Sequence, residues 1–165
     1  RDTGKLKDGF YEKFDDQGKP LESAHYKEGK LNGERKLYEK GFIYSLENYK
    51  MDLFEGPYKV FYPNGQLQLE CQYIHNEMSG TLKAYFPEGQ LKEIVQMSGS
   101  QENGPFEEYY QNGKIKANGF YKNGPYEEGL LNLFDSTGTL IKKMNCKEGI
   151  CTTTWTLEMD STKTK

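Results

Sequence analysis

Tyr58-Lys59-Val60-Phe61-Tyr62-Pro63-Asn64-Gly65-Gln66-Leu67-Gln68-Leu69-Glu70-Cys71-Gln72-Tyr73 reads with a period of two. Before the glycine, Tyr58, Val60 and Tyr62 alternate with Lys59 and Phe61. After it, Leu67, Leu69, Cys71 and Tyr73 alternate with Gln66, Gln68, Glu70 and Gln72. Two alternating runs are two strands, and Asn64-Gly65 between them predicts a hairpin. A type I′ turn needs positive φ at both central residues, which Asn-Gly tolerates best, so that turn type is expected here.

The same pattern extends in both directions. A first glycine recurs at Gly9, Gly33, Gly56, Gly80, Gly104 and Gly129, and a second at Gly18, Gly41, Gly65, Gly89, Gly113 and Gly138. The second follows the first by nine residues, except in the second unit, where it follows by eight. Five residues after each first glycine stands an aromatic ring: Phe14, Tyr38, Phe61, Tyr85, Tyr109 and Phe134. Self-similarity at such a fixed spacing marks a repeat architecture. Six units are expected, at about 9–32, 33–55, 56–79, 80–103, 104–128 and 129–152, in a single repeat domain over 1–165. Each unit is strand, turn, strand, turn. A hairpin of this length buries little alone, so the units should pair edge to edge. The expected class is all-β: an open, twisted, single-layer antiparallel meander of about 12 strands spaced at about 4.8 Å.

Composition agrees with a thin sheet. Only Val60 and Val95 are valine, and only Ala24, Ala84 and Ala117 are alanine, whereas Tyr numbers 13 and Phe 9. That aromatic content argues against disorder. The 165 residues leave room for one run of repeats. Apolar runs are only a few residues long, so no helix crosses a bilayer, and Arg1–Gly9 is too polar for a signal peptide. The net charge of −3 makes nucleic acid an unlikely partner. It argues against anionic lipid too, although Lys5, Lys7, Lys27, Lys30, Arg35 and Lys36 make the first 40 residues locally basic.

Tyr26-Lys27-Glu28-Gly29-Lys30-Leu31-Asn32-Gly33 and Tyr121-Lys122-Asn123-Gly124 resemble the tyrosine–asparagine–glycine core of MORN repeats (membrane occupation and recognition nexus). Phe61-Tyr62-Pro63-Asn64-Gly65-Gln66-Leu67 resembles the bacterial variant of that repeat, widespread in proteins labelled antitoxins of the YwqK type. The resemblance spans about residues 4 to 151. The family's regular tryptophan is missing, since the one Trp is Trp155, and the fourth unit carries Met97-Ser98-Gly99-Ser100 in place of the tyrosine–glycine turn. The resemblance implies a curved sheet of hairpins that attaches to proteins or membranes, or dimerises.

No catalytic constellation is legible, and no catalytic residue, cofactor or metal site is assigned. His25 and His75 lack metal-spaced partners. Glu107, Glu108, Glu127 and Glu128 stand beside aromatics, but paired acid chemistry needs two carboxylates facing across a cleft. The aromatic row has a structural reading, rings packing across strands, and a functional one, a face for a partner. Under the structural reading Phe61, Tyr85 and Tyr109 are buried on one face, and Phe61→Ala costs about 3 kcal/mol. Cys71 reads as a small buried hydrophobe. Cys146 and Cys151 bracket a glycine turn, and a disulfide, two reduced thiols and a partial zinc site all stay open.

The function expected is a non-catalytic module that presents a sheet face or edge to an unknown protein partner. Attachment to the cell envelope or a membrane surface, and a hydrolase with a site invisible in sequence, are the alternatives. Oligomerisation through sheet edges is compatible with the open meander. The chain starts at Arg1 without Met, and Gly4–Gly9 reads as the end of an earlier turn. A chain trimmed of a signal or lipid anchor, from an exported or cell-envelope bacterial protein, is therefore expected, with a cytoplasmic one as the alternative. Ile150–Leu157, rich in threonine, is expected to be a capping strand that pairs with about 139–146. Trp155 should pack on the last units, with a loose tail from about Asp160.

Overall fold

A computed structural model describes residues 7–161, so Gly4, Lys5, Leu6 and the last residues of the expected tail lie outside the described part. About two thirds of the described residues are in strands. The chain divides into two compact units, residues 1–78 and 79–165. The first contains β1 (Gly9–Phe14), β2 (Pro20–Lys27), β3 (Lys30–Glu39), β4 (Phe42–Lys50), β5 (Leu53–Phe54), β6 (Gly56–Phe61) and β7 (Leu67–Ile74). Its strands pair antiparallel in chain order, with the short β5 alongside β4. The second contains β8 (Glu77–Tyr85), β9 (Leu91–Ser98), β10 (Gln101–Tyr109), β11 (Ile115–Tyr121), β12 (Gly129–Phe134), β13 (Leu140–Lys147) and β14 (Ile150–Thr156). These too pair antiparallel in chain order. Within each unit the strands form an open meander. A five-residue α1 (Leu157–Ser161) follows β14.

The turn expected at Asn64-Gly65 is corrected. Gly65 N–H donates to the Tyr62 carbonyl (2.9 Å) and Tyr62 N–H to the Gln66 carbonyl (2.8 Å). Of Pro63, Asn64 and Gly65, only Gly65 takes positive φ, at 83°. This is a three-residue loop, a type I turn closed by a left-handed glycine. Pro63, with φ held near −65°, suits the first position of that turn, but Gln111-Asn112-Gly113 forms the same loop without a proline, so the glycine in the left-handed position is the shared requirement. The same pair of backbone bonds closes the loops at Asp15, Phe86, Tyr110 and Asp135. The repeat at 33–55 differs. Lys40 (φ 50°) and Gly41 (φ 88°) form a two-residue loop of type I′ geometry, which accounts for its glycine spacing of eight.

Type I′ geometry also recurs at the other end of the hairpins, where both loop residues have positive φ: Glu28-Gly29, Met51-Asp52, His75-Asn76, Gly99-Ser100 and Glu148-Gly149. Gly99-Ser100, which looked like a departure, thus makes the same turn as its counterparts. The polar side chains at these turns tie one hairpin to the previous one. Asp52 Oδ1 accepts the Leu31 N–H and Asn76 Oδ1 accepts the Phe54 N–H, both at 2.7 Å.

Within each unit, cross-strand pairs set a large side chain opposite a small one: Tyr11 and Ala24 and Tyr58 and Cys71 in the first, Leu82 and Val95 and Phe106 and Gly119 in the second. Such pairs share a face of the sheet and fill a similar volume at each rung. Cys71 is buried, and burial pushes its thiol up to about 11, so it is a neutral apolar side chain at neutral pH. The six first glycines share a positive φ, from 75° at Gly129 to 144° at Gly104, and at Gly104 a close contact adds to it. A Cβ there would lie 2.6 Å from Cβ of Gln96, and its φ is +144°. The register between β9 and β10 shifts across this position, so the glycine serves a bulge.

Cys146 and Cys151 are directly opposite in β13 and β14 and form a disulfide, with Cα atoms 4.0 Å apart. Trp155 lies opposite Lys143, whose Nζ sits 5.9 Å from the ring centroid. The crosslink closes a loop of four residues, so the entropy it removes from the unfolded chain is small, worth about 2 kcal/mol. Cys151→Ser should lower the denaturation free energy by that amount under oxidising conditions. Adding a thiol reductant should bring the unsubstituted protein down to meet it. Unequal reduced values would mean the serine disturbs β14 itself.

Candidate functional site

The aromatic row is where structure and expectation differ most. Tyr38, Phe61, Tyr85, Tyr109 and Phe134 are half-buried, and Phe14 is 50% exposed. Each but Tyr38, which is one rung further back, stands on the last rung before its loop, and in every one of these hairpins the register slips by one residue at the ring, as between Val60 and Phe61. A single-layer sheet has nothing above that rung to complete its burial. On the large–small rungs further along the hairpin Ala24, Cys71, Val95 and Phe106 are buried, while Tyr58 and Leu82 are half-buried and Tyr11 is exposed. The rings are therefore both packing and surface.

In the second unit this surface becomes a groove with chemistry. Phe86, Tyr109 and Tyr110 give it aromatic walls. Tyr109 donates its hydroxyl to Glu107, and that bond to a carboxylate holds the phenol up at about 12. Tyr110 donates to the Phe134 carbonyl at 2.8 Å, which fixes its ring across to the next hairpin. Glu93 and Glu108 line the same groove and stand directly opposite each other on β9 and β10. Lys116 Nζ meets Glu108 Oε2 at 2.8 Å, while among the described residues Glu93 makes no side-chain hydrogen bond or ion pair. Partial burial raises the Glu93 carboxyl above its ordinary value, and the charge of Glu108 adds to this.

That shift has a sign. A carboxyl raised on folding favours the protonated fold, so its charge costs stability above the folded pKa and costs none below the unfolded one. The charged groups around Glu93 are Glu108 and Glu102, which raise it, and Lys92 and Lys116, which lower it. Glu93→Gln should therefore raise the denaturation midpoint at neutral pH. The gain should vanish below pH about 4, where the carboxyl is protonated in both states. A midpoint unchanged at neutral pH would show that Glu93 is well solvated.

The other acids are engaged differently. Glu128 Oε1 lies 3.9 Å from Lys122 Nζ, and Glu127 forms a backbone bridge with Tyr121. His75 is exposed, with Nδ1 3.9 Å from Glu55, and His25 bonds the Glu34 carbonyl. Among the described residues no group of three or more His, Cys, Asp or Glu is placed to hold a metal ion. No helix of the described residues is long and apolar enough to cross a membrane. The groove was not read from sequence, because Glu93 and Glu108 are far apart in the chain and only the β9–β10 register joins them. The signal was available: Glu93 replaces an apolar residue at a position that is Leu69 in the preceding unit.

Residues 54–75, 78–98 and 102–123 are each similar to the MORN repeat variant family. The three matched stretches begin 24 residues apart and include the groove's Phe86, Glu93, Glu108 and Tyr109. This family is generally non-enzymatic, and its repeats typically serve in binding. No curated protein matches the chain.

Proposed function

We propose that this protein is a non-catalytic repeat module that binds a protein partner through a face of its hairpin sheet. The observation that carries this reading is the half-buried aromatic rung and the groove it builds beside Glu93 and Glu108. A ring left partly uncovered at equivalent positions offers rigid apolar area with a polar tip, the kind of surface that protein interfaces favour. The disulfide between Cys146 and Cys151 supports an exported or envelope location, since such bonds persist in oxidising compartments. The YwqK-type and bacterial assignments belong to the same proposal, as does the six-unit division with β14 as its cap.

A photo-crosslinking side chain at Gln111, which lines the groove and is exposed, should capture one defined protein from the native cell. The same group at Gln17, in the first hairpin loop, should not. Equal capture at both sites, or none at either, would count against a groove-directed binding module.

A further inference from the structure

The first unit shows how this fold accommodates glutamates on its packed face. Glu22 stands thirteen residues after Gly9, the first glycine of its unit. Arg35, two residues after Gly33, lies between Glu22 and the buried Glu47: Nε donates to Glu22 Oε1 at 2.6 Å and a terminal nitrogen to Glu47 Oε2 at 3.2 Å. One guanidinium thus serves two carboxylates.

Glu93 is the counterpart of Glu22, thirteen residues after Gly80. The counterpart of Arg35 is Phe106, two residues after Gly104. The position that supplies the cation in the first unit therefore supplies a buried ring in the second. A second carboxylate is nevertheless present, Glu108, directly opposite Glu93. Like charges facing each other across a strand pair repel. Of the two lysines in the groove, Lys92 is the chain neighbour of Glu93 and Lys116 is bonded to Glu108 with its side chain 51% exposed, and among the described residues no cation forms an ion pair with Glu93. Three aromatic rings line the space beside the pair.

We infer that the groove of Phe86, Glu93, Glu108, Tyr109 and Tyr110 receives an arginine side chain of the partner protein, its guanidinium shared by Glu93 and Glu108. The inference rests on the binding-module reading and names the chemistry of its site. A planar fork of N–H donors matches two carboxylates, as Arg35 does within this same chain, and it stacks on aromatic faces. A lysine ammonium is a single point charge with neither property. Lys116 competes for Glu108, but an exposed pair of this kind is worth little, and it can turn out to solvent. A divalent ion fits less well, because no third ligand joins the two carboxylates among the described residues.

The test uses the folded chain and three small probes: the blocked amides of arginine, lysine and citrulline, titrated while amide chemical shifts are followed. The arginine probe should shift residues of β9, β10 and the loop after Tyr110. It should bind at least about tenfold more tightly than the citrulline probe, which keeps the shape without the charge. Glu93→Gln should weaken it by about tenfold while leaving the protein no less stable, so a loss of binding is not a loss of fold. Lys116→Gln should act the other way, tightening binding by about threefold through removal of the competitor. Arginine and lysine probes bound alike, no saturable shift with the arginine probe, or an affinity unmoved by Glu93→Gln would each overturn the site. None of these outcomes touches the capture experiment at Gln111, so the module reading would stand or fall separately.

Discussion

Phe106→Ala should be the most damaging single truncation in the second unit, lowering the unfolding free energy by about 4 kcal/mol in chemical denaturation. The Phe106 side chain is 3% exposed and stacks on Tyr121, with ring centroids 4.0 Å apart and planes 18° from parallel. Its cross-strand partner is Gly119, and a Cβ built there would lie 2.9 Å from Cε1 of the ring and 3.3 Å from Cδ1 of Leu131. Ring and glycine therefore fill one rung together. Gly119→Ala should itself cost about 1–3 kcal/mol by overpacking. Phe106→Leu combined with Gly119→Ala should recover part of both losses, because it rebuilds the Leu82–Val95 kind of rung found one hairpin earlier. Strict additivity in that pair would show that the ring does not depend on the glycine for its space. Phe61→Ala should cost less than the 3 kcal/mol first expected, about 1–2 kcal/mol, since the ring is only half-buried.

The contrast between Phe106 and Phe61 explains what was legible in the sequence. Strand content, hairpin order and the absence of long helices followed from alternation and from the glycine spacing, which depend only on local chain geometry. Burial did not follow. A ring at every equivalent position looks like a core, but the rung just before each loop lies at the margin of the packed rows. The core falls at less uniform positions, where Tyr, Leu and Phe on one strand are balanced by Ala, Cys, Val or Gly on the next. That balance is visible only once the register is known. The turn type was missed because Asn-Gly fits both loops: the three-residue loop also puts its glycine at positive φ, at Gly113 as at Gly65. Met51-Asp52 and Gly99-Ser100 adopt the two-residue turn without the Asn-Gly signature, because Asp52 gains a bond to the Leu31 N–H and Gly99 supplies the permissive backbone.

The groove was illegible for a different reason. Glu93 and Glu108 are ordinary charged residues in a chain rich in them, and solvation is the usual state of such side chains. Their proximity comes from the β9–β10 pairing, and the significance of that pairing comes from comparison with Glu22, Arg35 and Glu47. Repeats make this comparison possible: equivalent positions share a backbone setting, so a difference in side chains isolates a difference in chemistry.

The second large effect should arise at that comparison site. Arg35→Met should cost about 2–3 kcal/mol. Glu47 is 6% exposed and would lose its cation, while Glu22, whose side chain is 25% exposed, would fall back on water. Ser45, fully buried, and Tyr49 would still donate to Glu47. Tyr49 keeps its proton for that purpose, because burial and the Glu47 charge push it up to about 12. Two hydrogen bonds do not neutralise a carboxylate on an apolar face, so most of the penalty should remain. Arg35 and Glu47 are also direct cross-strand partners, occupying the rung that Leu82 and Val95 fill elsewhere. Replacing both by leucine should therefore restore stability to within about 1 kcal/mol of the unsubstituted protein, as apolar replacement of buried ion pairs often does. Denaturant titrations of the two single variants and the double variant measure this directly. A double variant as unstable as Arg35→Met would show that the rung cannot accept two apolar side chains. The charges would then be a packing requirement of this hairpin, and Glu22 would depend on Arg35 more than its exposure suggests.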